Sequence, residues 1–283
     1  MTAPRPSKAV FANEAALCAT FIAALPEGWT AYPETAGFDI VLVRQVDGAQ
    51  IGVEAKMTLN AKVLLQAVEG LHSSREAGCS GPDYRAALVP HGTASHEMKV
   101  IAKKLGVTVL ECKAEDAKEA LVEKYISHGW GRTGAESQAA REWAPFAPNL
   151  PVHGERWVWR EDWVDHCPAK RETLPEYVPD VIAGASGPSS LSEWKIKAIK
   201  ICVILERRGF VTIADFKLFE ICRRRWLEMR WLALREGFRG HYILGTAPIG
   251  LRRQHPVNYL QIEADYEKWA PKEAEPAVLG ELL

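Results

Sequence analysis

Three charged side chains, Asp39, Glu54 and Lys56, sit on two runs rich in β-branched residues. The first run is Gly37-Phe38-Asp39-Ile40-Val41-Leu42-Val43, and the second is Ile51-Gly52-Val53-Glu54-Ala55-Lys56. Between them lies Asp47-Gly48, a strong hairpin signal when β-branched residues flank it. A two-residue turn pairs Val46 with Ala49, so opposite residues carry numbers that sum to 95. Asp39 then faces Lys56, and Val41 faces Glu54. Alternation with a period of two places Asp39, Glu54 and Lys56 on one face of the hairpin. Two acids and one base clustered on a half-buried sheet are costly unless a cation or a substrate accounts for them.

The elements that must hold these residues follow from periodicity and punctuation. The pattern predicts a helix over 11–25 carrying Glu14, a strand over 29–34, the hairpin, a helix from about Asn60, a strand over 84–90, a helix over 95–105 and a strand over 107–112. This order, with an acid on one strand and Glu-x-Lys on the next, resembles the PD-(D/E)xK nuclease superfamily of restriction-endonuclease-like fold. The resemblance spans residues 10–113. It implies a mixed sheet flanked by helices and a site built from Asp39, Glu54 and Lys56. Glu14 matches the helical acid of many members, and Gln66 the helical glutamine of several. Phe38 stands where the family often has proline. Gly70 stands where a Gln-x-x-x-Tyr motif has tyrosine, which points away from the exonuclease-like subgroup. The resemblance further implies Mg²⁺ or Mn²⁺ held by Asp39, Glu54 and the carbonyl of Ala55, all hard oxygen donors. Lys56 would orient the attacking water or stabilise the transition state, Glu14 would touch the metal through water or hold a second ion, and Gln66 would position Lys56 or the scissile phosphate. Glu34, ahead of Gly37, reads as a rim residue, with a role as substitute ligand as the alternative. Glu-x-Lys by itself is also a common surface pattern, so its context carries the reading.

With 283 residues, 47% hydrophobic and 25% charged, the chain has the make-up of an ordinary globular protein long enough for two small domains and a connector. No apolar run approaches a membrane span, and the N-terminus lacks a signal-peptide pattern, so a cytoplasmic protein without a membrane partner is expected. The six cysteines are scattered without Cys-x-x-Cys or zinc spacing and read as reduced, buried groups. The net charge of −1 is unevenly spread. Residues 191–262 hold 14 basic and 6 acidic residues, a net +8, whereas residues 114–190 hold 8 and 13, a net −5. A basic module in a neutral chain is an electrostatic footprint of phosphate binding.

Residues 1–127 are therefore read as the nuclease-like domain, 128–190 as a Trp/Pro-rich connector, 191–265 as a basic domain and 266–283 as an acidic tail. Within the connector, residues 155–160 alternate like a strand, and 183–190 have the composition of a flexible linker. In the basic domain a helix is expected to Arg208, a second one opening at Thr212 with a near capping box, and a third from Arg223 to Arg235. Strands over 242–245 and 259–262 then flank a loop containing Arg252 and Arg253. The succession resembles a winged helix-turn-helix domain. That resemblance implies a recognition helix beginning Arg223-Arg224-Arg225, with Arg252 and Arg253 on the wing. Trp226 and Trp231 equally suit a hydrophobic core.

Taken together, the expected activity is metal-dependent cleavage of DNA, duplex most of all. The alternatives are a DNA-binding regulator or assembly protein built on an inactive nuclease fold, and cleavage of RNA or branched DNA by the same site. The sequence leaves a homodimer open.

Overall fold

The computed structural model describes residues 11–76, 78–154, 162–184 and 191–271. They form two compact units, one of residues 1–174 with 181–190 and one of 175–180 with 191–283.

In the first unit α1 (Glu14–Ala23) precedes three antiparallel strands, β1 (Trp29–Thr35), β2 (Phe38–Arg44) and β3 (Gln50–Ala55). Helix α2 (Ala61–Ala67) leads to β4 (Tyr84–Pro90), parallel to β3, and α3 (His96–Lys104) leads to β5 (Val107–Cys112), parallel to β4. Asn60 and Ser95 start these two helices by accepting amide protons three residues on, from Val63 and Met98. A helical pair, α4 (Asp116–Ser127) and α5 (Arg132–Glu142), ends in β6 (Phe146–Ala147), which closes the sheet order β1-β2-β3-β4-β5-β6 antiparallel to β5.

Alternation sorts the strands onto two cores. Ile40, Leu42, Ile51, Val53, Ala55 and Leu88 pack with Leu17, Cys18 and Phe21 of α1. On the opposite face Ala87 and Val89 meet Val63, Leu64 and Ala67 of α2 and Ala102 of α3. The stretch read as a connector contributes Phe146, Leu150 and Trp163 to the first core. Trp163 stands edge-on to Tyr84 with ring centroids 5.9 Å apart, and its indole N–H donates to the carbonyl of Asn149 at 2.8 Å. Residues 155–160, read as a strand, lie outside the described residues, as do most of the linker and the end of the acidic tail.

The hairpin register departs from the two-residue turn. Arg44 N–H donates to Ala49 at 2.8 Å and Gly48 N–H to Arg44 at 2.8 Å, so four residues form the loop. Val41 faces Gly52, and Ile40 faces Val53. Continuing that count brings Asp39 level with Glu54 rather than Lys56. The cause is Asp47: its carboxylate grips the Arg44 guanidinium at 2.6 and 2.8 Å and accepts the Ala49 amide at 3.1 Å, which widens the turn. A slip of two residues preserves the side-chain face, whereas a slip of one would have reversed it.

The second unit begins with α6 (Glu193–Arg208), capped by the Ser192 side chain and ended by Gly209 in the left-handed conformation. Then come β7 (Val211–Thr212), α7 (Ile213–Leu218), α8 (Arg223–Glu228), β8 (Leu232–Leu234) and β9 (His241–Leu244), with an antiparallel sheet ordered β7-β9-β8. Thr212 and Asp215 form the full capping box of α7. Trp226 is fully buried against Phe216 and Trp231.

Two expectations for this unit are corrected. The third helix stops at Glu228 instead of running to Arg235. Arg230 turns left-handed, and its carbonyl accepts the Ala247 amide while Trp231 accepts that of Gly245. Gly245 packs so close that a Cβ there would collide with the Arg230 carbonyl oxygen. The stretch 259–262 is helical, within α10 (Pro256–Ala264), because Pro256 fits a first helical turn and Tyr259 and Ile262 then fall on one buried face. Arg252 and Arg253 therefore sit on α9 (Leu251–Gln254), not on a wing. Arg252 binds Glu206 at 2.7 Å and lies 4.2 Å from the Tyr259 ring centroid, tying α9 to α6 and α10. A short α11 (Tyr266–Trp269) follows. Among the described residues no helix is long and apolar enough to cross a membrane.

Candidate active site

The site forms where the β2–β3 ladder ends. Beyond the Ile40–Val53 pair, the amide of Ala55 loses a backbone partner on β2, and the Asp39 carboxylate takes its place at 2.7 Å. The amide of Lys56 turns the other way, to the carbonyl of Leu88 on β4 at 2.9 Å. This splaying gives Asp39 a defined position and frees the chain after Ala55 to carry Lys56 over the sheet end. There its ammonium group meets Glu14 of α1 at 2.7 Å. The structure brings Glu14 to Lys56, and the charges of Asp39, Glu54 and Lys56 act on one another, whereas the register read from the sequence was offset.

Glu54 is the unusual member. Only 5% of it is exposed, and among the described residues no side chain or amide donates a hydrogen bond to it. Burial, reinforced by the negative charge of Asp39 and opposed by Lys56, pushes its carboxyl up to about 8. Burial also raises Asp39, against the Ala55 amide and Lys56, which favour the carboxylate. Burial would lower Lys56, but Glu14 followed by Asp39 and Glu54 outweighs it and the ammonium form is reinforced.

Glu34 belongs to the same charged neighbourhood. It takes a left-handed backbone conformation, φ 47°, one residue before the Thr35–Phe38 turn, and accepts the Gly184 amide at 2.8 Å. Burial raises its carboxyl as well. Cys18, beneath the acids, is pushed up to about 12 by burial and then by Asp39 and Glu14, so it is an inert thiol.

On the face of the sheet that carries Glu54, two groups stand out. The side-chain oxygen of Gln66 on α2 is buried and has no partner among the described residues. Arg85, 2% exposed, donates from one nitrogen to the carbonyls of Ala67 and Glu69 at 2.7 Å each and lies 5.5 Å from the Phe38 ring centroid. Phe38 in turn covers Gly52, where a Cβ would strike its ring. Sequence reasoning missed Arg85, because an arginine at a strand start carries no sign of its burial. Its attraction to Glu54 is weaker than that to Glu172, and burial lowers its own proton affinity.

Among the described residues no three His, Cys, Asp or Glu side chains form a metal-holding group. The ligand set read from the sequence is instead two carboxylates and the carbonyl of Ala55. A cavity of about 850 Å³ in this unit lies elsewhere, at the other end of the β2–β3 hairpin, lined in part by Trp29, Arg44, Trp143 and His153. In the second unit Arg223, Arg224 and Arg225 are all exposed on α8. Arg224 pairs with Glu228 at 2.7 Å and Arg223 stands 5.9 Å from the Tyr242 ring centroid. No family model, curated protein or solved structure matches this chain.

Proposed function

We propose that the chain is a metal-dependent DNA endonuclease, with a restriction-endonuclease-like first unit and a second unit that binds DNA as a winged helix. The observation that carries this reading is Glu54, a residue 5% exposed whose carboxyl has no hydrogen-bond donor among the described residues and stands beside a second carboxylate. Such a group is expensive unless it is protonated or paired with a cation. The donor set fits a small hard cation: Asp39, Glu54 and the Ala55 carbonyl are the oxygen ligands that Mg²⁺ or Mn²⁺ takes. A bound ion of this kind supplies charge neutralisation at the phosphate and a more acidic water.

The remaining work falls to the chain. Lys56, held charged by Glu14, uses one of its three donors on that partner and keeps two for phosphate oxygens. The orphaned Gln66 oxygen is suited to orient a water or Lys56. Hydrolysis adds the water oxygen to phosphorus and its proton to the departing ester oxygen. In the second unit, α8 is placed as the recognition helix, and residues 235–240 between β8 and β9 take the place of the wing.

A second reading draws support from two bonds. Asp39 caps the Ala55 amide and Lys56 pairs with Glu14, contacts that an inactive DNA-binding scaffold would also keep. Incubating the purified protein with supercoiled, linear, single-stranded and branched DNA in Mg²⁺, Mn²⁺ or EDTA separates the two. Metal-dependent cutting that Asp39→Asn abolishes supports the enzyme; DNA binding with no cutting of any substrate supports the scaffold.

A further inference from the structure

The loop joining β8 to β9 reads Arg235-Glu-Gly-Phe-Arg-Gly240. Gly237 and Gly240 both take left-handed conformations, φ 74° and 79°, and the loop is closed by Arg235 N–H on the His241 carbonyl at 3.0 Å. It carries an aromatic ring at its tip. Phe238 is 50% exposed, and what sets it apart from other exposed apolar side chains is the way it is held.

The ring is not loose. It stacks on the imidazole of His241, centroids 5.6 Å apart and planes 12° from parallel. The same imidazole stacks on Phe210 at 4.9 Å and 10°. The Arg235 guanidinium stands 4.2 Å from the Phe238 centroid and 5.1 Å from that of Phe210, and Arg208 stands 5.0 Å from Phe210. Five side chains thus hold one another in a layered array whose outermost ring is half in solvent. Its orientation is set before any ligand arrives, so little side-chain freedom remains to be lost on binding.

The surroundings select the ligand. Arg235 lies in the array and the exposed Arg239 beside it, Arg208 is paired with the buried carboxylate of Asp215, Glu236 is the one acid of the loop, and residues 191–262 carry a net +8. An apolar protein surface gains nothing from these cations. A flat π system attached to phosphates gains from both features, through stacking and charge. Bases inside a duplex have both faces covered; a base at a strand end, gap or branch has one free.

We infer that Phe238 is a stacking platform for an unpaired nucleobase, so that the second unit reads junctions between single- and double-stranded nucleic acid. This inference rests on the proposal that the unit binds DNA.

The test uses the full chain in EDTA and labelled DNA hairpins, one blunt and one with a three-nucleotide overhang whose first base is 2-aminopurine. The parent should bind the overhang probe about five-fold or more tightly than the blunt one, the effect of one base on one aromatic ring, and should quench the 2-aminopurine. Phe238→Ala and Phe238→Leu should lose the overhang preference and the quenching, with a smaller loss on blunt duplex from the wing contact, and Phe238→Trp should retain both effects. Phe238→Leu keeps an apolar side chain on the loop, so agreement between the two variants excludes misfolding. Equal affinity of the parent for both probes overturns the platform, and so does an equal loss on both probes in the variants, which would mark a backbone or protein contact. Absence of binding to either probe overturns the DNA-binding proposal itself, whereas blunt-duplex binding without overhang preference overturns the platform alone.

Discussion

Replacing Glu54 by glutamine removes a titrating group while keeping its volume, and the structure gives the sign of the effect and an upper bound on its size. In the folded chain the carboxyl holds its proton up to about 8, whereas an unperturbed glutamate releases it near 4.5. Between those values the folded state binds the extra proton, so stability falls as pH rises through the window and levels off above it. At 1.36 kcal/mol per pH unit the full loss has an upper bound of about 5 kcal/mol, which relaxation and water entry reduce. Glu54→Gln should escape this loss. Urea unfolding of parent and variant in EDTA from pH 5 to pH 9 should give a difference that is smallest at pH 5 and grows in favour of glutamine up to about pH 8.5. Other titrating groups contribute to both proteins and largely cancel in the difference. Millimolar Mg²⁺ or Mn²⁺ should then stabilise the parent at pH 8.5, by about 1.4 kcal/mol at ten times the dissociation constant, and leave the variant much less changed. A pH-independent difference would refute the claim that Glu54 is buried as an uncompensated acid.

Lys56→Ala and Glu54→Gln should each lower cleavage by about a hundred-fold or more without unfolding the protein, measured on the best substrate found in Mg²⁺. Asp39→Asn keeps an acceptor for the Ala55 amide and should fold like the parent while losing cleavage, whereas Asp39→Ala should also lose about 1–3 kcal/mol in urea unfolding because that amide is left unpaired. Replacing Arg223, Arg224 and Arg225 by alanine should flatten the salt dependence of DNA binding, each lost phosphate contact lowering the slope by about 1, while Arg252→Ala should cost about 1 kcal/mol of stability and leave the slope unchanged. Trp226→Ala should destabilise the second unit by about 3–5 kcal/mol, read by thermal unfolding.

The sheet was legible because strand alternation and helix punctuation are local. Asn60, Ser95, Thr212 and Gly209 mark helix ends through their own side chains or lack of one, and each falls at the end it marks. The hairpin offset was not legible, because Asp47-Gly48 fits a two-residue turn until Arg44, on the strand itself, captures the aspartate. Asp39 and Glu54 nevertheless keep the shared face read for them, because an even slip moves partners but not faces. What failed in the second unit failed for non-local reasons. Tyr259-Leu-Gln-Ile262 alternates well enough for a strand, and only Pro256 three residues earlier, with the buried Tyr259 and Ile262, decides for a helix. Helix α8 has good formers beyond Glu228, but the later segment around Gly245 claims the carbonyls of Arg230 and Trp231. Arg85 and the Phe238 array depend on contacts between distant residues, and no spacing announces them.

The end of the β2–β3 ladder links the structural and chemical roles of the acids. Strands that part at a sheet end leave amides and carbonyls without partners, and a side chain must answer them. Asp39 answers the amide of Ala55, and doing so brings a carboxylate beside Glu54. Had Glu54 been answered in the same way, the pair would be a finished piece of structure, and the scaffold reading would be the stronger. Among the described residues it is not answered: Lys56, whose charge opposes the rise of the Glu54 carboxyl, is drawn to Glu14 at 2.7 Å, and Arg85 donates its hydrogen bonds to the carbonyls of Ala67 and Glu69. The Lys56 ammonium is thus engaged by the helical acid, and the acid on β3 has no hydrogen-bonded cation among the described residues. Selection for stability alone would favour glutamine or an apolar side chain at position 54. Glutamate there fits the proposed cation: to bind, the ion must displace the proton that this carboxyl otherwise holds up to about 8, and the pH and metal titrations of Glu54→Gln test that exchange.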